Sequence, residues 1–136
     1  MTIPENSEIL AVDDTPDNLL LLEAILSEHP AFKLTCADSG VEAIQAIETS
    51  PPDLILLDVM MPGMNGYEVA RRIRQSAELP YIPILFVTAD KNIDEKTGIR
   101  AGADGLVYKP FDIGQLIERI CSLLRCCEGE GCQCAT

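Results

Sequence analysis

Short, uninterrupted apolar runs punctuate the chain at Ile9–Val12, Leu54–Leu57, Ile82–Val87 and Leu106–Tyr108, with a weaker fifth at Phe32–Cys36. Each is too short to be a helix and is rich in Ile, Leu or Val, the character of strands buried on both faces, as in a parallel sheet. The stretches between them carry helical spacing, which predicts helices over 16–28, 40–49, 66–75, 91–101 and 113–125. Pro16 suits a first helical position behind Thr15 as N-cap. Ser39 followed by Glu42, and Asp112 followed by Gln115, read as capping boxes. Gly102 suits a left-handed stop for the fourth helix. Ile113, Leu116, Ile117, Ile120, Leu123 and Leu124 form the apolar stripe of the fifth.

Strand and helix thus alternate through the chain. Alternation with connections of this length implies a parallel sheet with helices on both faces. The expected fold class is α/β, a flavodoxin-like doubly wound (βα)5 arrangement with a five-stranded parallel sheet of order 2-1-3-4-5. This domain is expected over residues 8–125, after an N-terminal extension (1–7) and before a loose Cys-rich tail (126–136).

Charge narrows the function. The formal net charge is −12, which lacks the footprint of a nucleic-acid binder and the cationic excess of a membrane-surface protein. The first 70 residues hold 13 acids and a single base, Lys33, whereas the rest is balanced. No apolar run reaches the ~18 residues of a membrane span, and the N-terminus has no basic, apolar leader. Four of the six cysteines crowd the tail and leave the body of the chain unstapled, unlike a secreted disulfide scaffold. The expectation is a cytoplasmic protein with reduced thiols. Metal binding, acylation and crosslinking of the tail cysteines stand beside a tail with incidental thiols.

In an open parallel sheet, ligands bind beyond the carboxyl ends of the strands. Strand 1 runs into Asp13 and Asp14, strand 3 into Asp58, strand 4 into Thr88 and strand 5 into Lys109. Three carboxylates brought to one rim repel each other unless a hard divalent cation such as Mg²⁺ sits among them. A lysine and a threonine beside them suit a phosphoryl group. A carboxylate can itself be the nucleophile and form an aspartyl-phosphate. Asp58, on the central strand, is the choice that leaves the Asp13–Asp14 pair free for the metal.

These residues, with Ala11-Val12-Asp13-Asp14, Leu57-Asp58-Val59-Met60-Met61-Pro62-Gly63-Met64-Asn65-Gly66, Val87-Thr88-Ala89, Ala101-Gly102-Ala103-Asp104-Gly105 and Lys109-Pro110-Phe111, resemble the receiver domain of two-component response regulators over about residues 8–125. The resemblance implies that Asp58 accepts a phosphoryl group from a histidine kinase or histidine phosphotransfer protein. It implies Mg²⁺ held by Asp14, Asp58 and the Met60 backbone carbonyl, with Asp13 helping through water. Lys109 and Thr88 would contact the phosphoryl oxygens, Pro110 would follow a cis peptide bond, and Met60 and Asp90 would tune the site. The switch position often occupied by an aromatic residue is Leu106 here, with Tyr108 expected on another face or register. The signal would leave through the face formed by the fourth helix, the fifth strand and the fifth helix, or through the polar helix after strand 4.

Eleven tail residues hold no output domain, so the expected role is a stand-alone response regulator that switches binding to a downstream protein. A relay intermediate that passes the phosphoryl group on is the alternative. An aspartyl-phosphate phosphohydrolase would want a second Asp where Met60 stands. A flavodoxin-type electron carrier would want a phosphate loop where Asp13-Asp14-Thr15-Pro16 stands.

Overall fold

The computed structural model describes residues 6–110 and 112–126. The elements alternate as β1 (Ser7–Val12), α1 (Pro16–Leu26), β2 (Phe32–Ala37), α2 (Gly40–Thr49), β3 (Leu54–Asp58), α3 (Gly66–Gln75), β4 (Ile84–Thr88), α4 (Glu95–Arg100), β5 (Gly105–Tyr108) and α5 (Ile113–Cys126). The strands form one parallel sheet of order β2-β1-β3-β4-β5, as the alternating pattern predicts. β1 begins at Ser7, inside the segment expected as an extension. The expected cysteine tail lies outside the described residues beyond Cys126.

The period of two along each strand splits the core into two layers. Leu10, Val12, Ile55, Leu57, Ile84 and Phe86 point to the face covered by α2, α3 and the α4 region. Ile9, Ala11, Leu54, Leu56, Leu85, Val87 and Val107 point to the other face, where α1 contributes Leu22 and Leu26 and α5 contributes Leu116, Ile120 and Leu124. All five residues of β3, and all five of β4, are buried. That is why these strands read as unbroken apolar runs. Truncating one of these side chains to alanine costs about 2–5 kcal/mol.

Local chemistry shifts several boundaries. β4 starts at Ile84 and not at Ile82, because Pro83 has no N–H for the ladder; its carbonyl still accepts from Ile55 N–H at 3.0 Å. The fourth helix is shorter than expected. It starts at Glu95 behind Asp94, whose carboxylate accepts from Thr97 N–H at 2.9 Å. Upstream, Asn92 N–H donates to Asp90 Oδ1, closing an Asx turn that competes with helix. Thr15 stands at the N-cap of α1 but its side chain caps nothing. Ser39 does cap α2, yet Glu42 reaches back to Asp38 N–H and so makes only half a box. A complete capping box forms on α3 between Asn65 and Glu68. Asp112 accepts from Gln115 N–H at the start of α5. Gly102 has φ +110°, the glycine-favouring region, as expected after α4.

Candidate functional site

The parallel register brings the strand ends to one rim. Val12 lies beside Leu57 and Asp58 beside Val87, so Asp13 follows β1 where Asp58 ends β3. Asp13 and Asp58 are 2 % and 4 % exposed, whereas Asp14 faces solvent. Carboxylate oxygens of all three lie within 4.8 Å of one another. Lys109, delivered by β5, places Nζ 2.8 Å from Asp13 Oδ2 and 3.5 Å from Asp58 Oδ2. One cation therefore serves two buried carboxylates.

The backbone holds the carboxylates in place. Asp13 Oδ1 accepts from Thr15 N–H at 2.9 Å, and Asp58 Oδ1 from Met60 N–H at 3.2 Å. Burial chiefly, then the Asp13 charge, push the Asp58 carboxyl up to about 6, against the opposing pull of Lys109 and the Met60 N–H. The cluster is thus short of positive charge. Hard carboxylate oxygens, partly buried and partly open to water, are the donor set that Mg²⁺ prefers. Asp13, Asp14 and Asp58 fit that ion on this observation.

Gly66 sets the depth of the site. A Cβ at this position would lie 2.5 Å from the Asp58 carbonyl oxygen and 2.8 Å from Val59 Cα. Only glycine lets the first turn of α3 sit against the strand that ends in Asp58. Its N–H donates to Val59 O at 3.0 Å.

Thr88 is fully buried, and its Oγ1 accepts from Asp90 N–H at 3.1 Å. Lys109 N–H donates to Thr88 O at 2.8 Å, and the Lys109–Pro110 peptide bond is cis. Asp13, Asp14, Asp58 and Lys109 thus lie together, and Thr88 is joined to Lys109 through its backbone carbonyl. Met60 lies beside it with its side chain 58 % exposed.

Tyr108 requires a correction. It was expected on another face or register from Leu106. Two positions apart on one strand, both meet the α2–α3–α4 side of the core, as a period of two requires. The Tyr108 hydroxyl donates to Ile93 O. Lys91 Nζ lies 4.8 Å from the centre of the Tyr108 ring and donates to Lys109 O at 3.2 Å. Tyr108 and Lys91 thus fasten the β4–α4 loop to the strand that carries Lys109. The aromatic side chain two residues from Leu106 was the available signal. Its long-range partner was not.

Arg119 of α5 donates to Glu95 of α4 at 2.8 Å and to Leu106 O of β5 at 3.2 Å, joining the three elements expected to carry the signal. No helix among the described residues is long and apolar enough to cross a membrane.

A family model described as the response regulator receiver domain matches residues 9–121. The chain is 39% identical over 121 residues to the alkaline phosphatase synthesis transcriptional regulatory protein PhoP of Bacillus subtilis, covering 88% of this chain and 49% of that protein. It is 38% identical over 113 residues to a probable cyclic di-GMP phosphodiesterase of Vibrio cholerae, covering 82% of this chain and 25% of that one. The chain therefore spans a quarter to a half of these curated relatives. Among solved structures, a putative response regulator from Chloroflexus aurantiacus superposes with a TM-score of 0.82 at 34% identity, covering 88% of this chain and 98% of that one. The signal receiver domain of a signal transduction histidine kinase from Syntrophus aciditrophicus gives 0.76 at 32% identity, with 87% and 89% covered.

Proposed function

The chain belongs to the response regulator receiver family, and from that premise we propose that Asp58 accepts a phosphoryl group from a phosphohistidine donor. The carrying observation is the buried Asp13–Asp58 pair held around Lys109 Nζ. In the transfer, an Asp58 carboxylate oxygen forms a bond to phosphorus. The P–N bond to the donor imidazole breaks, and the imidazole nitrogen keeps the electron pair and takes up a proton. With its carboxyl at about 6, Asp58 is mostly the anionic nucleophile at neutral pH.

Asp13, Asp14 and Asp58, with the Met60 carbonyl, would hold Mg²⁺, which supplies charge neutralisation for the phosphoryl oxygens when bound. Lys109 moves its ammonium from the carboxylates to a phosphoryl oxygen. Thr88 exchanges the Asp90 N–H for the phosphoryl group by turning its hydroxyl. Met60 and Asp90 flank the path of the water that later hydrolyses the acyl phosphate. The protein is a phosphoacceptor switch and not a turnover enzyme.

The donor is a histidine kinase or a histidine phosphotransfer protein. The effector is a protein that reads the α4–β5–α5 face, which the Arg119–Glu95 and Arg119–Leu106 bonds tie together. Movement at Thr88 reaches that face through the β4–α4 loop, since Leu106 offers no aromatic ring to swing.

Incubation with a small-molecule acyl phosphate and Mg²⁺, followed by intact-mass analysis, tests the reading. Wild-type protein should gain one phosphoryl adduct, and Asp58→Asn should gain none. An unmodified wild type, or an equal adduct on the variant, overturns it.

A further inference from the structure

The chain has ten Lys and Arg residues, and six of them (Arg71, Arg72, Arg74, Lys91, Lys96 and Arg100) fall on α3 and the 91–100 segment. Three of the six line one surface groove of about 440 Å³ between α3 and α4: Arg71, Arg74 and Arg100, with Tyr67 and Gln75. Arg72 turns away towards α2, where it lines a different cleft beside Glu48.

The three guanidiniums are not alike. Arg74 is built into the fold: Nε donates to Gly102 O at 2.9 Å, Nη1 to Ile82 O at 2.7 Å and Nη2 to Asp104 Oδ2 at 3.0 Å. It forms a rigid, half-buried floor whose charge Asp104 balances. Arg71 and Arg100 are exposed on the two walls, and neither takes part in an ion pair or a hydrogen bond among the described residues. In a chain of net charge −12, acids are plentiful, yet none lines this groove, and Asp104 reaches only Arg74 at its floor. Two free guanidiniums facing one cleft are a ready pair of forks for carboxylates.

We propose that the α3–α4 groove is a docking site for an acidic peptide segment of a partner protein, held by Arg71 and Arg100. The peptide's carboxylates would take the two free guanidiniums. Its backbone or an aliphatic side chain would lie along the floor formed by Ala101, Gly102 and the Arg74 stem. Charge also limits the length of the occupant. A long polyanion such as nucleic acid would leave the groove within a Debye length of about 8 Å and meet the acidic remainder of the surface. A short acidic segment confined to the groove meets only the arginines. Tyr67 lines this groove and also the cleft formed by Val59, Met60 and Met61 beside Asp58, so the two sites share a wall.

The test uses the full chain and a fluorophore-labelled oligoglutamate peptide, followed by anisotropy at low and physiological salt. Binding should weaken as salt rises. It should fall roughly tenfold or more in the double variant R71E/R100E, a change of about 1.4 kcal/mol or more. Both residues are exposed and unpaired, so the variant should keep the wild-type melting temperature and accept phosphoryl groups at Asp58 as before. R71K/R100K should retain part of the affinity. Amide shifts on peptide addition should map to α3 and α4. No binding, binding unchanged by R71E/R100E, shifts confined to other elements, or tighter binding of a single-stranded oligonucleotide than of the peptide would each overturn the proposal.

Discussion

At the C-terminal ends of the strands, Asp13 and Asp58 compete for one ammonium. At the opposite ends of β4 and β5, Asp104 receives the Arg74 guanidinium, the Tyr81 hydroxyl and the Ile84 N–H. The Arg74 fork also holds Gly102 O and Ile82 O, and its guanidinium Cζ lies over the Tyr81 ring, 4.5 Å from the ring centre. Both assemblies join a carboxylate to a cation across many residues of sequence. One has more donors than acceptors and fastens two loops to the sheet. The other has two buried acids for one base and is left wanting positive charge. The difference teaches where each uses its electrostatics: Asp104 in holding the fold, and Asp58, on the proposed function, in meeting an incoming phosphoryl group.

Disabling each cation separates the two roles. Lys109→Ala should slow acyl-phosphate labelling of Asp58 by about 10²–10³-fold, the range for losing one transition-state donor, and, because it leaves Asp13 and Asp58 buried without their cation, should also lower the melting temperature when no Mg²⁺ is added. Rates from intact mass against time check this. Arg74→Ala should lower stability without slowing labelling. It strands the Gly102 and Ile82 carbonyls and unpairs Asp104, and should cost about 2–3 kcal/mol by urea unfolding, with labelling intact. If Arg74→Ala abolished labelling as Lys109→Ala does, the two ends would not be separate.

Acidity offers a subtler contrast. The Asp58 carboxyl sits at about 6 in the folded chain and near 3.9 when unfolded. The folded state therefore holds that proton more tightly. Above pH 6 the native protein carries a charge it disfavours, and the penalty disappears as pH falls from about 6 to about 4. With divalent cations chelated, Asp58→Asn should be more stable than wild type at pH 7 by on the order of 2 kcal/mol, with the gap closing by pH 4. Denaturant curves of both proteins across that range measure it. A gap independent of pH would show that Asp58 is not the strained member of the pair.

The smallest effect tests the link between the rim and the loop after β4. Tyr108→Phe removes only the hydroxyl bond to Ile93 O and should cost about 1 kcal/mol. Amide hydrogen exchange should quicken over 91–94 while the core strands keep their protection. Uniform quickening would mean that Tyr108 supports the whole fold and not that loop.

Much of this was legible in the sequence because β3 and β4 are buried on both faces, so each reads as an apolar run ending in one polar residue. That made Asp58 and Thr88 conspicuous, and the parallel order carried Asp13 and Lys109 to the same rim. What escaped was of two kinds. The start of α4 turns on side chains that bond their own backbone, Asp90 to Asn92 N–H and Asp94 to Thr97 N–H. These win over helical spacing across 91–94. Arg74, one of three arginines on α3, is bonded to Asp104, Gly102 and Ile82. Nothing local announces a partner 30 positions away.

Gly66 carries a consequence for how sequences of this design can drift. The Asp58 carbonyl stands where any side chain at position 66 would put its first carbon. Alanine there would have to lift the start of α3 or push back the peptide plane of Asp58. In a saturation library scored for labelling, charged surface positions should accept many replacements. Position 66 should accept almost none. The narrowest tolerance beside the rim is then set by a residue that contributes no functional group, only the room left by a hydrogen atom.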